Sequence, residues 1–242
     1  MNAVIDIGNS RIKVGFYNKN VLAEQLVWES WNLQKFKTRA TNHSIQNVIL
    51  CNVGKVIPTE IEKFLQSFFF IELNSKTPLP IQMQYKTPET LGKDRIAAVV
   101  GAFDLFANEN CLVMDAGTCI TYEILTEEGV YLGGNIAPGL AMRLQAMHHF
   151  TAKLPQVEVG ETESWIGYST VSAMQNGAQL GLILEIEGFI GRCRREWENL
   201  NVILTGGDAA FLAKYLDHKN ISIQPNLVLQ GLNKILNYNV EL

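Results

Sequence analysis

The sequence predicts an α/β protein of two similar lobes, and three observations carry that prediction. A strand, an Asp-x-Gly turn and a second strand occur twice, about a hundred residues apart. Each copy is followed by segments of helical periodicity and by a further apolar strand. Of the 242 residues 47% are hydrophobic and 18% charged, with only 7 prolines, which supports a folded core and excludes a disordered or fibrous chain.

The first copy runs from Ala3 to Tyr17, a β-rich stretch broken by Gly8-Asn9-Ser10, so it reads as a hairpin with Asp6 and Lys13 near the bend. Val48 to Gly54 reads as a buried strand and Glu60 to Phe69 as a short helix, with Phe68, Phe69 and Phe70 in the core. Arg95 to Phe106 reads as a second helix whose apolar side carries Ile96, Val99, Val100 and Phe103. The polar break Asn108-Glu109-Asn110 separates an N-terminal lobe, 1–108, from a C-terminal lobe, 109–242. The second hairpin then runs from Cys111 to Leu125. Ser169 to Gly191 and Asp208 to Leu216 read as helices, with Val202 to Thr205 as the strand between them. A last helix lies near Leu227 to Asn237, and local pattern leaves open whether it packs back on the first lobe.

Twenty basic against twenty-four acidic side chains give a net charge of −4, so no positive field draws the chain to nucleic acid or anionic lipid. The opening Met1-Asn2-Ala3-Val4 lacks the basic flank of a signal peptide, and no apolar run is long enough for a membrane helix. A cytoplasmic protein is expected. Cys51, Cys111, Cys119 and Cys193 show no CxxC or zinc spacing and read as reduced, mostly buried thiols.

Phosphoryl transfer from ATP needs backbone donors close to the phosphates, a metal held by acids and a base aimed at the acceptor hydroxyl. The two hairpins suit the first two needs. Gly8 and Gly117 remove the Cβ that would keep N–H groups from a phosphate, Asn9, Ser10 and Thr118 add donors, and Lys13 adds a cation. Asp6 and Asp115 each end an apolar strand and offer carboxylates to a hydrated Mg²⁺ or a monovalent cation. One Asp-x-Gly turn is a common hairpin; two facing copies are less ordinary. Thr205-Gly206-Gly207-Asp208 follows a strand and opens a helix, either as a place for a nucleotide's sugar and base or as a plain cap.

These motifs, with Gly92-Lys93-Asp94-Arg95, Gly133-Gly134-Asn135-Ile136-Ala137-Pro138-Gly139 and Thr151-Ala152-Lys153-Leu154-Pro155, resemble those of type III pantothenate kinases across nearly the whole chain. The resemblance implies two actin-like (ribonuclease H-like) lobes, each a mixed sheet flanked by helices, with a nucleotide cleft between them. It implies ATP-dependent phosphorylation of pantothenate, the first step of coenzyme A biosynthesis, by a homodimer whose interface helps form the pantothenate pocket. ATP would contact Asp6, Ile7, Gly8, Asn9, Ser10, Arg11, Ile12 and Lys13, then Thr118, Gly206 and Gly207. Asp115 would hold K⁺ or NH₄⁺, and Asp6 would hold the Mg²⁺ of ATP through water. Pantothenate would meet Tyr85, Gly92, Lys93, Asp94, Arg95 and Thr170, with Asp94 as general base and Arg95 on the carboxylate.

Physical chemistry agrees with that division, since a guanidinium fork fits a carboxylate and a carboxylate at a hydroxyl can take its proton. Without the other motifs, Asp94 and Arg95 read as a pair starting a helix, Tyr85 as a half-buried strand aromatic and Thr170 as a helix-start residue. His148 and His149 are adjacent, cannot share a helix face and receive no role. Ser10 and Cys119 stand where the family more often has Thr and Ala; both are small, and Ser keeps the hydroxyl. The alternatives are another small-molecule kinase of this fold, which Gly92 to Arg95 would distinguish, and a non-catalytic accessory of transcription, which no basic stripe supports.

Overall fold

The strand β1 (Asn2–Ile7) pairs antiparallel with β2 (Ile12–Asn18) in a register that sets Asp6 opposite Lys13. In this computed structural model, which describes residues 1–53, 56–161, 164–216 and 221–242, all six residues of β1 are buried. That is what an apolar run requires of a strand covered on both faces. β2 continues antiparallel to β3 (Val21–Trp28), while β1 pairs parallel with β4 (Asn47–Asn52) and β4 with β5 (Phe69–Glu72). The order is β3-β2-β1-β4-β5. Parallel neighbours need crossovers, and α1 (Leu33–Asn42) and α2 (Thr59–Leu65) provide them. Asn32 caps α1 by accepting the Lys35 N–H at 2.9 Å. Ile5, Phe16, Phe36, Leu50 and Leu65 form the core of this sheet.

The expected helix from Glu60 to Phe69 is shorter than its periodicity suggested. It ends at Leu65, and Phe69, Phe70 and Ile71 instead pair with Asn47, Val48 and Ile49 as the edge strand. An aromatic and β-branched run gains more from an open ladder than from another helical turn, and Phe69 is left exposed at the edge instead of in the core. The last residue of the strand expected over Val48 to Gly54 lies outside the described residues.

The described residues form two compact units, one of residues 1–108, 125–132 and 226–242, the other of 109–124 and 133–225. In the first, α3 (Lys93–Leu105) packs along α7 (Leu227–Val240), which lies on β1 and β4. α3 is buried nearly all round from Arg95 to Ala102, not on one side only, because Ala97, Ala98, Gly101 and Ala102 let the α7 backbone approach closely. An asparagine ladder ties α7 down: Asn2 donates to Asn233 at 2.9 Å and to Asn237 at 2.7 Å, Asn47 donates to Asn2, and Asn233 donates to the Lys19 carbonyl.

The second unit contains β7 (Asn110–Ala116), most of β8 (Cys119–Leu125) and β9 (Val130–Pro138), then β10 (Leu200–Thr205) and β11 (Ile221–Ile223). Its neighbours run β9-β8-β7-β10-β11, repeating the order of the first sheet, with β10 parallel to β7 and β11 parallel to β10. The short strand β6 (Gln82–Met83) pairs with Val130 and Tyr131, which belong to the first unit. α4 (Leu140–His149), α5 (Thr170–Arg194) and α6 (Ala209–Leu212) complete the second unit. The helix expected over Asp208 to Leu216 keeps helical form only to Leu212. Leu112, Ile120, Leu140, Ile186, Leu204 and Leu212 are its core. No helix among the described residues is long and apolar enough to cross a membrane.

Candidate functional site

In the first unit the β1–β2 turn is closed by the Gly8 N–H donating to the Arg11 carbonyl at 3.0 Å, which leaves Asn9, Ser10 and Arg11 exposed. A Cβ at Gly8 would meet nothing nearer than the Arg11 oxygen at 3.5 Å, so the main chain there is open to a ligand. Asp6 is buried beneath this loop, and the parallel register places Cys51 of β4 opposite it. Burial pushes the Cys51 thiol well up, and the charges of Asp6 and Asp94, with a hydrogen bond to Asp6, push it further, while Lys93 acts against them. Cys51 is therefore a neutral thiol, hydrogen-bonded to Asp6 and within electrostatic reach of Lys93 and Asp94.

Those last two residues begin α3, whose N-cap is Gly92. A carboxylate in the first turn is favoured by the helix dipole. One Asp94 oxygen, Oδ1, accepts the Arg95 N–H at 2.9 Å. Lys93 forms an ion pair with Glu72 at 3.5 Å. Arg95 is only 6% exposed: its Nη2 donates to the Tyr131 hydroxyl at 3.4 Å, and its guanidinium carbon stands 5.7 Å from the centre of the Tyr85 ring. Tyr85 and Tyr131 stack at 6.1 Å with 9° between planes. Tyr131 did not emerge from the sequence; its one signal was an aromatic shortly before Gly133-Gly134, a position that a strand pattern assigns to packing.

In the second unit the Gly117 N–H donates to the Cys119 carbonyl at 2.9 Å and leaves Thr118 exposed. The parallel pairing of β7 with β10 sets Asp115 beside Thr205, so two motifs ninety residues apart in the sequence end together at the carboxyl end of adjacent strands, where open α/β sheets place ligands. Gly206 adopts φ +97°, and a Cβ there would lie 2.3 Å from the Ala116 oxygen and 2.5 Å from Asp115 Oδ1. Only glycine fits this junction. The Asp208 N–H donates to the Ala116 carbonyl at 2.9 Å, a Cβ at Gly207 would meet nothing within 4 Å, and burial pushes the Asp208 carboxyl up. The Asp208 side chain makes no capping bond to α6. Thr170 is the first residue of α5, exposed after the capping box of Ser169 and Ser172.

Among the described residues no three His, Cys, Asp or Glu side chains cluster as a metal cage. A single carboxylate such as that of Asp6 is the type of ligand a hydrated Mg²⁺ takes, since that ion keeps most of its waters and binds one or two carboxylates beside phosphate oxygens. Asp115 Oδ1 and the Ala116 carbonyl both lie against Gly206, and Asp115 is a hard-oxygen donor of the type that suits a monovalent cation. Away from these loops, Phe150, Trp165 and Tyr168 are 82%, 75% and 84% exposed, with Val171 and Leu184 exposed on α5. His148 and His149 are exposed at the end of α4, His148 against the Leu154 carbonyl at 2.7 Å.

The family profile described as type III pantothenate kinase matches residues 3–192. A type III pantothenate kinase of Flavobacterium psychrophilum is 38% identical over 240 residues, 98% of this chain and 99% of that one. One from Porphyromonas gingivalis is 41% identical over 244 residues, 99% of each. Among solved structures, a Campylobacter jejuni protein described under the Baf family of transcriptional activators matches with TM-score 0.63 and 26% identity over 99% of this chain and 100% of that one. A ROK hexokinase of Thermus thermophilus shares the fold at TM-score 0.53 and 12% identity, covering 98% and 99% of the two chains.

Proposed function

The chain belongs to the type III pantothenate kinase family, and from that membership we propose that it transfers the γ-phosphoryl group of ATP to the hydroxyl of pantothenate, opening coenzyme A synthesis, with Asp94 as the base. The observation that carries the reading is the family match over residues 3–192, and the charges of Asp6 and Asp94, both of which act on the Cys51 thiol, support it. Such transfer needs little covalent chemistry from the protein and much positioning. Asn9 to Lys13, on the turn that Gly8 closes, and Thr118 offer phosphate oxygens main-chain N–H groups, hydroxyls and the Lys13 charge. Gly206 and Gly207 leave room for the adenosine. Asp94 accepts the hydroxyl proton through Oδ2, since Oδ1 is engaged by the Arg95 N–H. Asp6 would hold the Mg²⁺ of ATP through water, where the ion would offset phosphate charge, and Asp115 would hold K⁺ or NH₄⁺.

Pantothenate rests against Tyr85 and Thr170, with its carboxylate on the edge of Arg95. The Tyr85 ring beside that guanidinium and the Tyr131 hydroxyl bonded to it fix its position. Two copies associate, with the exposed Phe150, Trp165 and Tyr168 of the second unit as the kind of aromatic side chains that such an interface covers. The enzyme works in the cytoplasm. The description of the Campylobacter structure suggests a role in transcription, but the net charge of −4 gives this chain no attraction to nucleic acid.

The test is phosphate transfer from ATP to pantothenate against a panel of sugars, at matched ionic strength in K⁺, NH₄⁺ and Na⁺. Transfer to pantothenate alone is expected, faster in K⁺ or NH₄⁺ than in Na⁺, because a carboxylate facing phosphates needs a cation of fitting size between them. Equal rates in all three salts would remove the cation from Asp115, and transfer to a sugar would remove the substrate assignment. A solution mass of one chain would remove the dimer.

Arg95→Lys provides a second check. Keeping charge but losing the planar fork should lower kcat/KM for pantothenate roughly ten- to a hundredfold, with KM for ATP changed much less. The alcohol analogue of pantothenate should be a poor substrate and lose little further in the variant. If the acid and the alcohol suffer alike, Arg95 is a packing residue.

A further inference from the structure

Arg143 lies on none of the loops assigned to ATP, yet its hydrogen bonds lead to one of them. Its Nε donates to the Pro138 carbonyl at 2.8 Å, and its Nη2 makes a short ion pair with Glu185 Oε2 of α5. The other Glu185 oxygen accepts the Tyr122 hydroxyl at 2.8 Å, and Tyr122 is buried and stacked on Phe189 at 4.1 Å and 16°. Glu185 is thus held from β8, and it holds Arg143 in turn. Proline has no N–H, so the carbonyl is the main-chain group by which Pro138 can be fixed.

The next residue, Gly139, is buried against the second phosphate loop. Its N–H donates to the Thr118 carbonyl at 3.2 Å, and a Cβ in its place would lie 2.2 Å from the Gly117 oxygen and 2.7 Å from the Thr118 oxygen. The carbonyls of Gly117 and Thr118 therefore face Gly139, so their position is set by it while Thr118 is left exposed on the surface. Glu185 matches the Arg143 charge, which makes Arg143 a brace and not an anion ligand.

We propose that Arg143, oriented by Glu185, is a positioning residue for nucleotide binding, holding Pro138 and Gly139 so that the turn at Gly117 is fixed and Thr118 presents its donors to the ATP phosphates. The inference rests on the reading that this loop binds ATP. A loop displaced by a fraction of an ångström loses binding geometry without unfolding the sheet that carries it. A brace that merely joined α4 to α5 would change thermal stability and leave substrate constants alone.

The full chain carrying Arg143→Met, Arg143→Lys or Glu185→Gln would be compared with the parent by calorimetric titration with ATP, by KM for each substrate and by melting temperature. Arg143→Met should raise Kd and KM for ATP roughly ten- to a hundredfold while KM for pantothenate stays within about twofold. Arg143→Lys, which keeps one of the two contacts, should fall between it and the parent. Glu185→Gln should weaken ATP binding in the same direction, and the double variant should be no worse than Arg143→Met, because both act through Pro138. If Arg143→Met does not fold, the other two single variants decide. Lowered melting temperature with parental ATP affinity, or equal rises in both KM values, would overturn the proposal. A parent chain that binds no ATP would overturn this inference and the kinase reading together, whereas a parent that binds ATP no better than its variants would overturn this inference alone.

Discussion

Asp94→Asn should lower kcat by roughly 10²–10⁴-fold while leaving the affinity for ATP close to that of the parent. Amide and carboxylate have the same outline, so the first turn of α3 should survive, and the side-chain oxygen can still accept the Arg95 N–H as Oδ1 now does at 2.9 Å. What the amide lacks is basicity at the second position, where the acceptor hydroxyl must lose its proton. Rapid-mixing measurement of a single turnover would separate the chemical step from product release. Turnover near that of the parent would exclude Asp94 as the base. The same variant should leave Cys51 buried as a thiol, since burial, not Asp94, is the larger cause of its reluctance to ionise.

Gly231→Ala should cost about 3 kcal/mol or more of stability, at the upper end of overpacking effects. A Cβ at Gly231 would lie 1.7 Å from the Ala97 carbonyl oxygen and 2.7 Å from the Gly101 nitrogen, both main-chain atoms of α3 that cannot rotate away. The clash is matched from the other side, where a Cβ at Gly101 would lie 2.4 Å from the Leu227 oxygen. For a chain of this size the loss corresponds to a melting temperature lower by roughly 6–12 °C. Gly177→Ala is the natural control, because a Cβ there meets nothing within 4 Å on α5, and alanine's higher helix propensity should raise stability by about 0.5–1 kcal/mol. Calorimetry of the pair tests whether α3 and α7 touch backbone to backbone. Equal melting temperatures for the two variants would contradict that contact.

Much of the candidate site could be read from order along the chain. Asp6 with Lys13, Gly117 with Thr118, and Asp94 at the start of a helix are arranged by turns and caps that span only a few residues, so their local geometry follows from local sequence. The duplicated hairpin had the same kind of signal, since each copy announces itself through its own turn. Boundaries were less legible where two local preferences competed. At Phe69 an apolar run compatible with a helix became a strand because β4 offered it a ladder, and beyond Leu212 the helical pattern gave way to turns.

Other features had no local signal at all. That Asp115 ends beside Thr205 depends on β7 and β10 pairing across some ninety intervening residues, and that α7 packs on α3 depends on Ala97, Gly101 and Gly231 meeting face to face. The burial of Arg95 against Tyr85 and Tyr131, and the path from Glu185 through Arg143 to Thr118, likewise join residues that no motif spacing connects. By itself the sequence determined the two hairpins and the helices α3, α5 and α7, with the residue types their turns carry, because hydrogen bonding and sterics within a few residues decide those. Only the tertiary structure decided which of those turns share a strand end and which side chains brace them, because close packing selects neighbours by shape and volume over the whole unit, a quantity that no short window of sequence contains.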